Sequence, residues 1–193
     1  MSIDRLHGWF DFHDIYTQAV AEARADSILV EVGVAFGRSA AFLAQKLESS
    51  GNRGAKFFVV DPWSACVPQA NEEATRAEEA RVQIEGGPFN TFLHGMREWA
   101  RPELERMLVL RAPSVQVARM FDPGSVDFVF VDGSHAYADV CADLDAWWPK
   151  IRAGGVLAGH DYCDPGIMRA VQERFGPLPY YGPNSWWTRR SKP

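Results

Sequence analysis

Five short runs of apolar residues alternate with segments of helical periodicity, and this alternation constrains the fold more than any other feature of the sequence. The runs are residues 27–32, 56–60, 107–110, 126–131 and 155–158. Each has the length and the bounding turn signals of a buried strand. Helices are predicted from Arg38 to Leu47 and from the capping Asp164 to Gly176. A third is predicted between the last two runs, where one apolar stripe recurs at helical spacing through Tyr137, Val140, Cys141, Leu144 and Trp148.

Strands that are apolar along their whole length indicate a parallel sheet with helices on both faces. We therefore predict an α/β fold of the Rossmann-like, doubly wound type, in which ligands bind at the carboxyl ends of the strands. One domain is expected over residues 1–193, with its core at about 26–176. Residues 62–106 are longer than a simple connection, so we predict that they form part of a lid.

Charge and composition exclude several kinds of partner. The chain has 193 residues with 25 acidic and 20 basic side chains, a net charge of −5, and so lacks the basic excess of a nucleic-acid-binding protein. No stretch approaches the roughly 18 apolar residues of a membrane span, and the first ten residues are unlike a signal peptide. We expect a cytoplasmic protein with no nucleic-acid or membrane partner. Cys66, Cys141 and Cys163 form no C-x-x-C pair, which argues against a disulfide framework.

The loop after the first predicted strand carries two glycines that allow a tight turn and a close approach of the backbone to a ligand. Their G-x-x-x-G spacing differs from the dinucleotide fingerprint and favours a nucleoside cofactor other than NAD. Asp61 ends the second strand, where an acid in such folds binds ribose hydroxyls, and the Trp63 indole could stack on a flat group. A structural turn, a helix cap and a packing aromatic are the alternative interpretations. The candidate cofactor-binding residues of this region are Glu31, Gly33, Val34, Gly37, Arg38, Ser39, Asp61 and Trp63.

Acidic and histidine side chains follow the fourth and fifth predicted strands. Asp132 and His135 come after the fourth, and His160 and Asp161 after the fifth. Because adjacent parallel strands end at the same edge of a sheet, we expect Asp132, His160 and Asp161 to meet around one point. Two carboxylates and an imidazole suit a divalent cation. The alternative is that the two acids cap the segments that follow them.

The pattern Glu31-x-Gly33-x-x-x-Gly37-x-Ser39 resembles motif I of class I S-adenosylmethionine-dependent methyltransferases, and the resemblance covers residues from about 28 to 175. It implies a mainly parallel seven-stranded sheet, S-adenosylmethionine as the cofactor, and Asp61 as the ribose-binding acid. Ser114 falls where this family approaches the adenine. Asp132 is also expected to contact the cofactor.

Asp132-Gly-Ser-His135 is similar to the Asp-Gly-x-His pattern of the macrocin and mycinamicin O-methyltransferases and of cephalosporin-hydroxylase-like proteins. It also resembles the corresponding site of catechol and caffeoyl-CoA O-methyltransferases. These resemblances imply that Asp132 and Asp161 bind a divalent cation, with Mg²⁺ the first expectation, and that His160 occupies the remaining ligand position. They imply that His135 is the general base.

The expected function is transfer of a methyl group to a hydroxyl of a small-molecule acceptor. A metal-dependent hydrolase that uses the same ligands, and a non-catalytic nucleoside-cofactor-binding module, remain open as alternatives. A P-loop phosphotransferase is excluded, because the first loop lacks its lysine. Residues 180–190 combine aromatic and cationic side chains and are expected either to line the acceptor pocket or to form a final hairpin on the sheet. A second copy of the chain could also complete the pocket, so a homo-oligomer is among the expectations.

Overall fold

A six-stranded sheet forms the centre of the structure, a computed structural model that describes residues 3–64 and 72–191. Its strands are β1 (Ile28–Val32), β2 (Lys56–Val60), β3 (Met107–Leu110), β4 (Val126–Val131), β5 (Ile151–Gly159) and β6 (Trp186–Arg189). The order across the sheet is β3-β2-β1-β4-β5-β6. All neighbours from β3 to β5 run parallel, and β6 pairs antiparallel with β5. Because the chain winds in opposite directions on the two sides of β1 and β4, a crevice opens at the carboxyl ends of these two strands.

Helices cover both faces of the sheet. In the described residues they are α1 (His13–Glu22), α2 (Arg38–Ser49), α3 (Glu72–Ile84), α4 (Pro88–Trp99), α5 (Arg101–Glu105), α6 (Ser114–Ala118), α7 (Tyr137–Trp147) and α8 (Pro165–Phe175), with short 3-10 helices at Ile3–Arg5 and Trp148–Lys150. One face of the sheet packs against α1, α2 and α4, and the other packs against α6, α7 and α8. The predicted mainly parallel α/β fold is confirmed.

The strands and helices begin and end close to the predicted positions. The exception among the strands is β5, which begins at Ile151 rather than at residue 155. In α7 the buried indole is that of Trp147, whereas Trp148 is only partly buried and starts the following 3-10 turn. Helix α8 begins as predicted, because the Asp164 carboxylate accepts hydrogen bonds from the backbone N–H groups of Gly166 and Ile167.

The described residues contain six strands rather than the expected seven. The segment between α8 and β6 forms a turn with a single bridge between Tyr181 and Ser185. Prolines at 177, 179 and 183 remove backbone N–H donors from this segment, so it cannot form a regular ladder. The tail therefore adds one strand, β6, instead of a complete hairpin.

Helix α4, which lies within the segment 62–106 predicted as part of a lid, contributes to the core. In α4, Phe92 and Met96 are fully buried in the cluster beneath α2. Helix α3 packs on α4. Residues 65–71, which include Cys66, lie outside the described residues, and the lid over 62–106 stays a prediction.

None of the helices in the described ranges is both long enough and apolar enough to cross a membrane.

Candidate cofactor and metal site

A cavity of about 860 Å³ opens at the carboxyl edge of the sheet. Its volume lies within the range of small-molecule and cofactor sites. Loops after β1, β2, β3 and β4 line it together with the first half of α7. The lining residues include Gly33, Asp61, Ser114, Asp132, His135 and Asp143. The first five of these were predicted from the sequence, whereas Asp143 was not.

The two glycines of the first loop are required by its geometry. Gly33 has a φ of +82°, and a Cβ at this position would lie 1.8 Å from the carbonyl oxygen of Asp132. Gly37 has a φ of +91° and immediately precedes α2, and a Cβ there would come within 2.8 Å of both Met96 and Phe92. Side chains at these positions would therefore be excluded by backbone conformation and by contact. The close approach also brings the loop against the end of β4, directly beside Asp132.

Asp61 fastens this loop to the end of β2. Its Oδ2 accepts hydrogen bonds from the backbone N–H groups of Val34 (2.9 Å) and Ala35 (3.0 Å), and its Oδ1 accepts one from the N–H of Trp63 (2.6 Å). The carboxylate also lines the cavity. Because an ionised carboxylate offers about four acceptor positions, it retains capacity for a ligand hydroxyl.

Glu31, Ser39, Arg38 and Trp63, which are predicted to bind the cofactor, are not among the residues that line the cavity. Glu31 is fully buried within β1 and accepts a hydrogen bond from the Ser39 hydroxyl. The Trp63 ring packs between Phe89 and Phe92, and its indole N–H donates to the carbonyl of Ala35 at 2.7 Å.

Arg38 is turned toward the amino-terminal segment, where it donates to the carbonyl of Gly8. Glu31, Ser39 and Trp63 are buried, whereas Arg38 is partly exposed. Their contacts fix the shape of the loop from behind.

Burial raises the pKa of Glu31 to about 8, although the hydrogen bond from Ser39 acts in the opposite direction. We therefore expect the unfolding free energy of the wild-type protein to fall more steeply than that of Glu31→Gln as the pH rises from about 5 to 8. Across this range the folded state holds a proton that the unfolded state has lost. The stability that this proton contributes to the folded state is complete below the ordinary pKa of 4.5 and is lost as the pH rises through about 8.

Glutamine cannot titrate, and the other buried acids are present in both proteins. The slopes should differ by on the order of 1 kcal/mol per pH unit in urea unfolding at a series of pH values. Parallel slopes would contradict a protonated Glu31.

Asp132, His160 and Asp161 lie close together, as the sequence predicts. One candidate ligand atom from each lies within 4.8 Å of those of the other two. His160 is buried, with its Nδ1 3.3 Å from Asp161 Oδ1 and 3.9 Å from Asp132 Oδ1. Burial raises the pKa of Asp132 to about 6, while the positive charge of His160 acts to lower it. From the tail, Asn184 donates a hydrogen bond to Asp161, so the segment before β6 reaches the edge of this cluster.

His160 is held on both sides of its ring. Its Nε2 lies 2.8 Å from Asp11 Oδ1, and its Nδ1 faces Asp161. Burial alone would lower the pKa of His160, but the hydrogen bond to Asp161 and the nearby carboxylates raise it to about 9. Asp11 was missed by the sequence analysis, because it lies in the segment before α1 and belongs to no motif.

His135 lies at the rim of the cavity, next to the same cluster. Its side chain is 53% exposed, with Nε2 3.0 Å from Asp161 Oδ2 and Nδ1 3.8 Å from Asp164 Oδ2. The imidazole is thus oriented by acids after β5 while its edge stays open to solvent. Ser114 lies at the opposite side of the cavity, where its Oγ accepts a hydrogen bond from the Trp147 indole N–H at 2.7 Å.

The sequence matches a methyltransferase-domain family over residues 30–162. This span runs from β1 to just after β5 and covers more than half of the chain. The chain belongs to this family, and it has the fold of the class I S-adenosylmethionine-dependent methyltransferases.

Solved structures with a similar fold include the O-methyltransferase NovP, with a TM-score of 0.66 and 18% identity over 93% of this chain and 79% of that one. The TDP-rhamnose 3'-O-methyltransferase CalS11 of calicheamicin biosynthesis has a TM-score of 0.59 and 19% identity over 92% of this chain and 76% of that one. Among curated proteins, the uncharacterized protein y4gI of Sinorhizobium fredii is 27% identical over 69% of this chain. The aligned region spans 13% of that relative's length.

Proposed function

We propose that the chain is an S-adenosylmethionine-dependent methyltransferase that methylates a hydroxyl group of a small molecule with the help of a divalent cation. The observation that carries the proposal is the position of Asp132. Its backbone contacts the glycine loop at Gly33, and its carboxylate belongs to the cluster with His160 and Asp161. A methyl donor held by the loop and an oxygen held at the cluster would therefore be neighbours.

The charge of the cavity supports a sulfonium cofactor. Carboxylates of Asp61, Asp132, Asp139 and Asp143 line it, whereas no lysine or arginine does so among the described residues. A negative potential of this kind attracts a cationic ligand and repels the phosphates of a dinucleotide. We assign the binding of the ribose hydroxyls to Asp61 and the binding of the methionine part to the loop at Gly33.

The donor set of the cluster fits a divalent cation, since two carboxylates and one imidazole are hard ligands that suit Mg²⁺ or Mn²⁺. A bound cation would act as a Lewis acid and lower the pKa of an acceptor hydroxyl. Asp132 and Asp161 would hold it, with His160 as the third protein ligand. A coordinating imidazole must be neutral, so binding of the cation would release the proton that His160 otherwise holds between acids.

His135 is assigned as the general base. Its Nε2 lies 3.0 Å from Asp161 Oδ2 and donates to that carboxylate, so in the neutral imidazole Nδ1 is the nitrogen that can accept a proton from an acceptor hydroxyl placed beside it. The names of NovP and CalS11 identify both as O-methyltransferases, which supports oxygen as the atom that is methylated. A metal-dependent hydrolase would use the same cluster but would leave the glycine loop and its large acidic cavity without a role.

The metal assignment predicts that Asp161→Asn and Asp132→Asn each weaken Mn²⁺ binding roughly tenfold or more. An amide carries no charge and is a poorer ligand for a hard cation than a carboxylate. Binding is measured by titration of the purified protein with Mn²⁺ and detection of the free ion by electron paramagnetic resonance. Asp122→Asn is the matched control, because Asp122 is exposed and precedes β4 at the other edge of the sheet. Unchanged Mn²⁺ affinity in both site variants, or methyl transfer that persists in a chelator, would remove the cation from the proposed function.

A further inference from the structure

Helix α7 carries a buried carboxylate that lines the cavity. The proposed chemistry gives this carboxylate no role. Asp143 is 8% exposed, although it borders the cavity. Burial raises its pKa to about 6, and Asp139 adds to the shift, while a hydrogen bond with Ser114 opposes it. Asp143 forms no ion pair within residues 3–64 and 72–191. Because a buried acid without a cationic partner costs stability, its presence at a ligand cavity calls for a ligand that donates to it.

The neighbours of Asp143 in the described residues do not use all the acceptor positions of its carboxylate. Trp147 is one helical turn further along α7, and its indole N–H donates to the Ser114 hydroxyl, which fixes that hydroxyl at the start of α6. A serine hydroxyl has a single proton to donate, so Ser114 can satisfy only one lone pair of the carboxylate. On the other side, a Cβ on Gly133 would lie 3.9 Å from Asp143 Oδ2. The carboxylate therefore lies between the loops after β3 and β4 with unused acceptor capacity.

The order of the strands indicates which part of the cofactor reaches this place. Gly33 and Asp132 are at the ends of β1 and β4, Asp61 is at the end of β2, and Ser114 follows β3. The placement of the cofactor that follows rests on the proposed function. If the loop at Gly33 holds the methionine part and Asp61 holds the ribose, the base extends toward Ser114 and α7. Apolar atoms of Pro113, Val115 and Ala142 line this side of the cavity, as a planar base requires.

We propose that Asp143 determines the specificity for adenine by accepting a hydrogen bond from the exocyclic amine at C6. The amine is a donor, so it matches a carboxylate acceptor. A hypoxanthine base has a carbonyl oxygen at C6 instead, and two acceptors would then face each other in a place with little water. Ser114 holds Asp143 in position from the side of α6.

The test compares binding of S-adenosylhomocysteine with binding of S-inosylhomocysteine by isothermal titration at pH 8, where Asp143 is ionised. We expect the wild-type protein to prefer the adenine compound by about 10- to 100-fold, the range for a hydrogen bond to a charged group. Asp143→Asn should reduce this preference to about threefold or less, because the amide can donate to the C6 carbonyl. The control is Asp145→Asn on the same helix, where the side chain is 68% exposed and pairs with Arg174, and it should keep the wild-type preference.

Urea unfolding of Asp143→Asn at the same pH separates recognition from folding. Since the charged form of Asp143 is destabilised by burial, the asparagine variant should be at least as stable as the wild-type protein. Binding of both compounds by the wild-type protein without a preference would overturn the inference and leave the proposed cofactor intact. An unchanged preference in a folded Asp143→Asn variant would also overturn it. Binding of neither compound would instead overturn the proposed function, and this inference with it.

Discussion

Replacing His135 with asparagine is expected to lower kcat for methyl transfer by about 10²- to 10⁴-fold. Asparagine keeps a polar side chain of similar reach but cannot take up a proton near neutral pH. His135 contacts Asp161 beside the proposed metal site, so a hydroxyl bound there would lose its proposed base. The rate is measured as formation of S-adenosylhomocysteine with an acceptor found by screening sugars and phenols. Because a general base contributes to the rate of the wild-type protein only, the pH–rate profiles of the wild-type protein and the variant should differ.

The control for this prediction is His94→Asn, since His94 is an exposed residue of α4 that pairs with Glu85. It should leave both the rate and its pH dependence unchanged. Affinity for S-adenosylhomocysteine should be the same in His135→Asn and in the wild-type protein, because the base acts on the acceptor. A His135→Asn variant with the wild-type pH–rate profile would exclude His135 as the base.

Asp61→Ala is expected to weaken S-adenosylhomocysteine binding by roughly 100-fold and to lower the unfolding free energy by about 2 kcal/mol or more. The substitution leaves the N–H groups of Val34, Ala35 and Trp63 without their acceptor, and it removes the proposed partner of the ribose hydroxyls. The affinity is measured by isothermal titration and the stability by urea unfolding.

Asp61→Asn separates these two effects. Its amide oxygen can still accept from Val34 and Ala35, but its NH₂ group cannot accept from Trp63, so the loss of stability should be smaller. Asp122→Ala, at an exposed position, should change neither quantity. Wild-type affinity in a folded Asp61→Ala variant would show that the loop and its acid do not bind the cofactor.

Much of the site could be predicted from the sequence because it depends on strand ends. Gly33, Asp61 and Asp132 follow three strands whose apolar character is evident, and parallel strands end at a common edge. The cluster with His160 and Asp161 follows from the same rule. The absence of a seventh strand in the described residues could also be predicted from the sequence, since the prolines before β6 interrupt a regular ladder of backbone hydrogen bonds.

Other features depend on long-range packing that local patterns do not encode. Asp11 reaches His160 across 149 positions of sequence, and only the path of the segment before α1 decides this contact. Trp63 has a positive φ of 47°, and its ring packs against Phe89 and Phe92 instead of lining the cavity. Asp143 belongs to the buried side of α7, and its position at the cavity depends on how α7 packs against α6.

We propose that the acidic cavity at the carboxyl edge of the sheet binds S-adenosylmethionine. Isothermal titration of the wild-type protein with S-adenosylhomocysteine, and with NAD⁺ as the comparison, tests it most directly. We expect one saturable site for S-adenosylhomocysteine, a matching rise in the unfolding temperature, and no binding of NAD⁺, whose phosphates would face the carboxylates of the cavity. Absence of S-adenosylhomocysteine binding, or equal binding of NAD⁺, would contradict it.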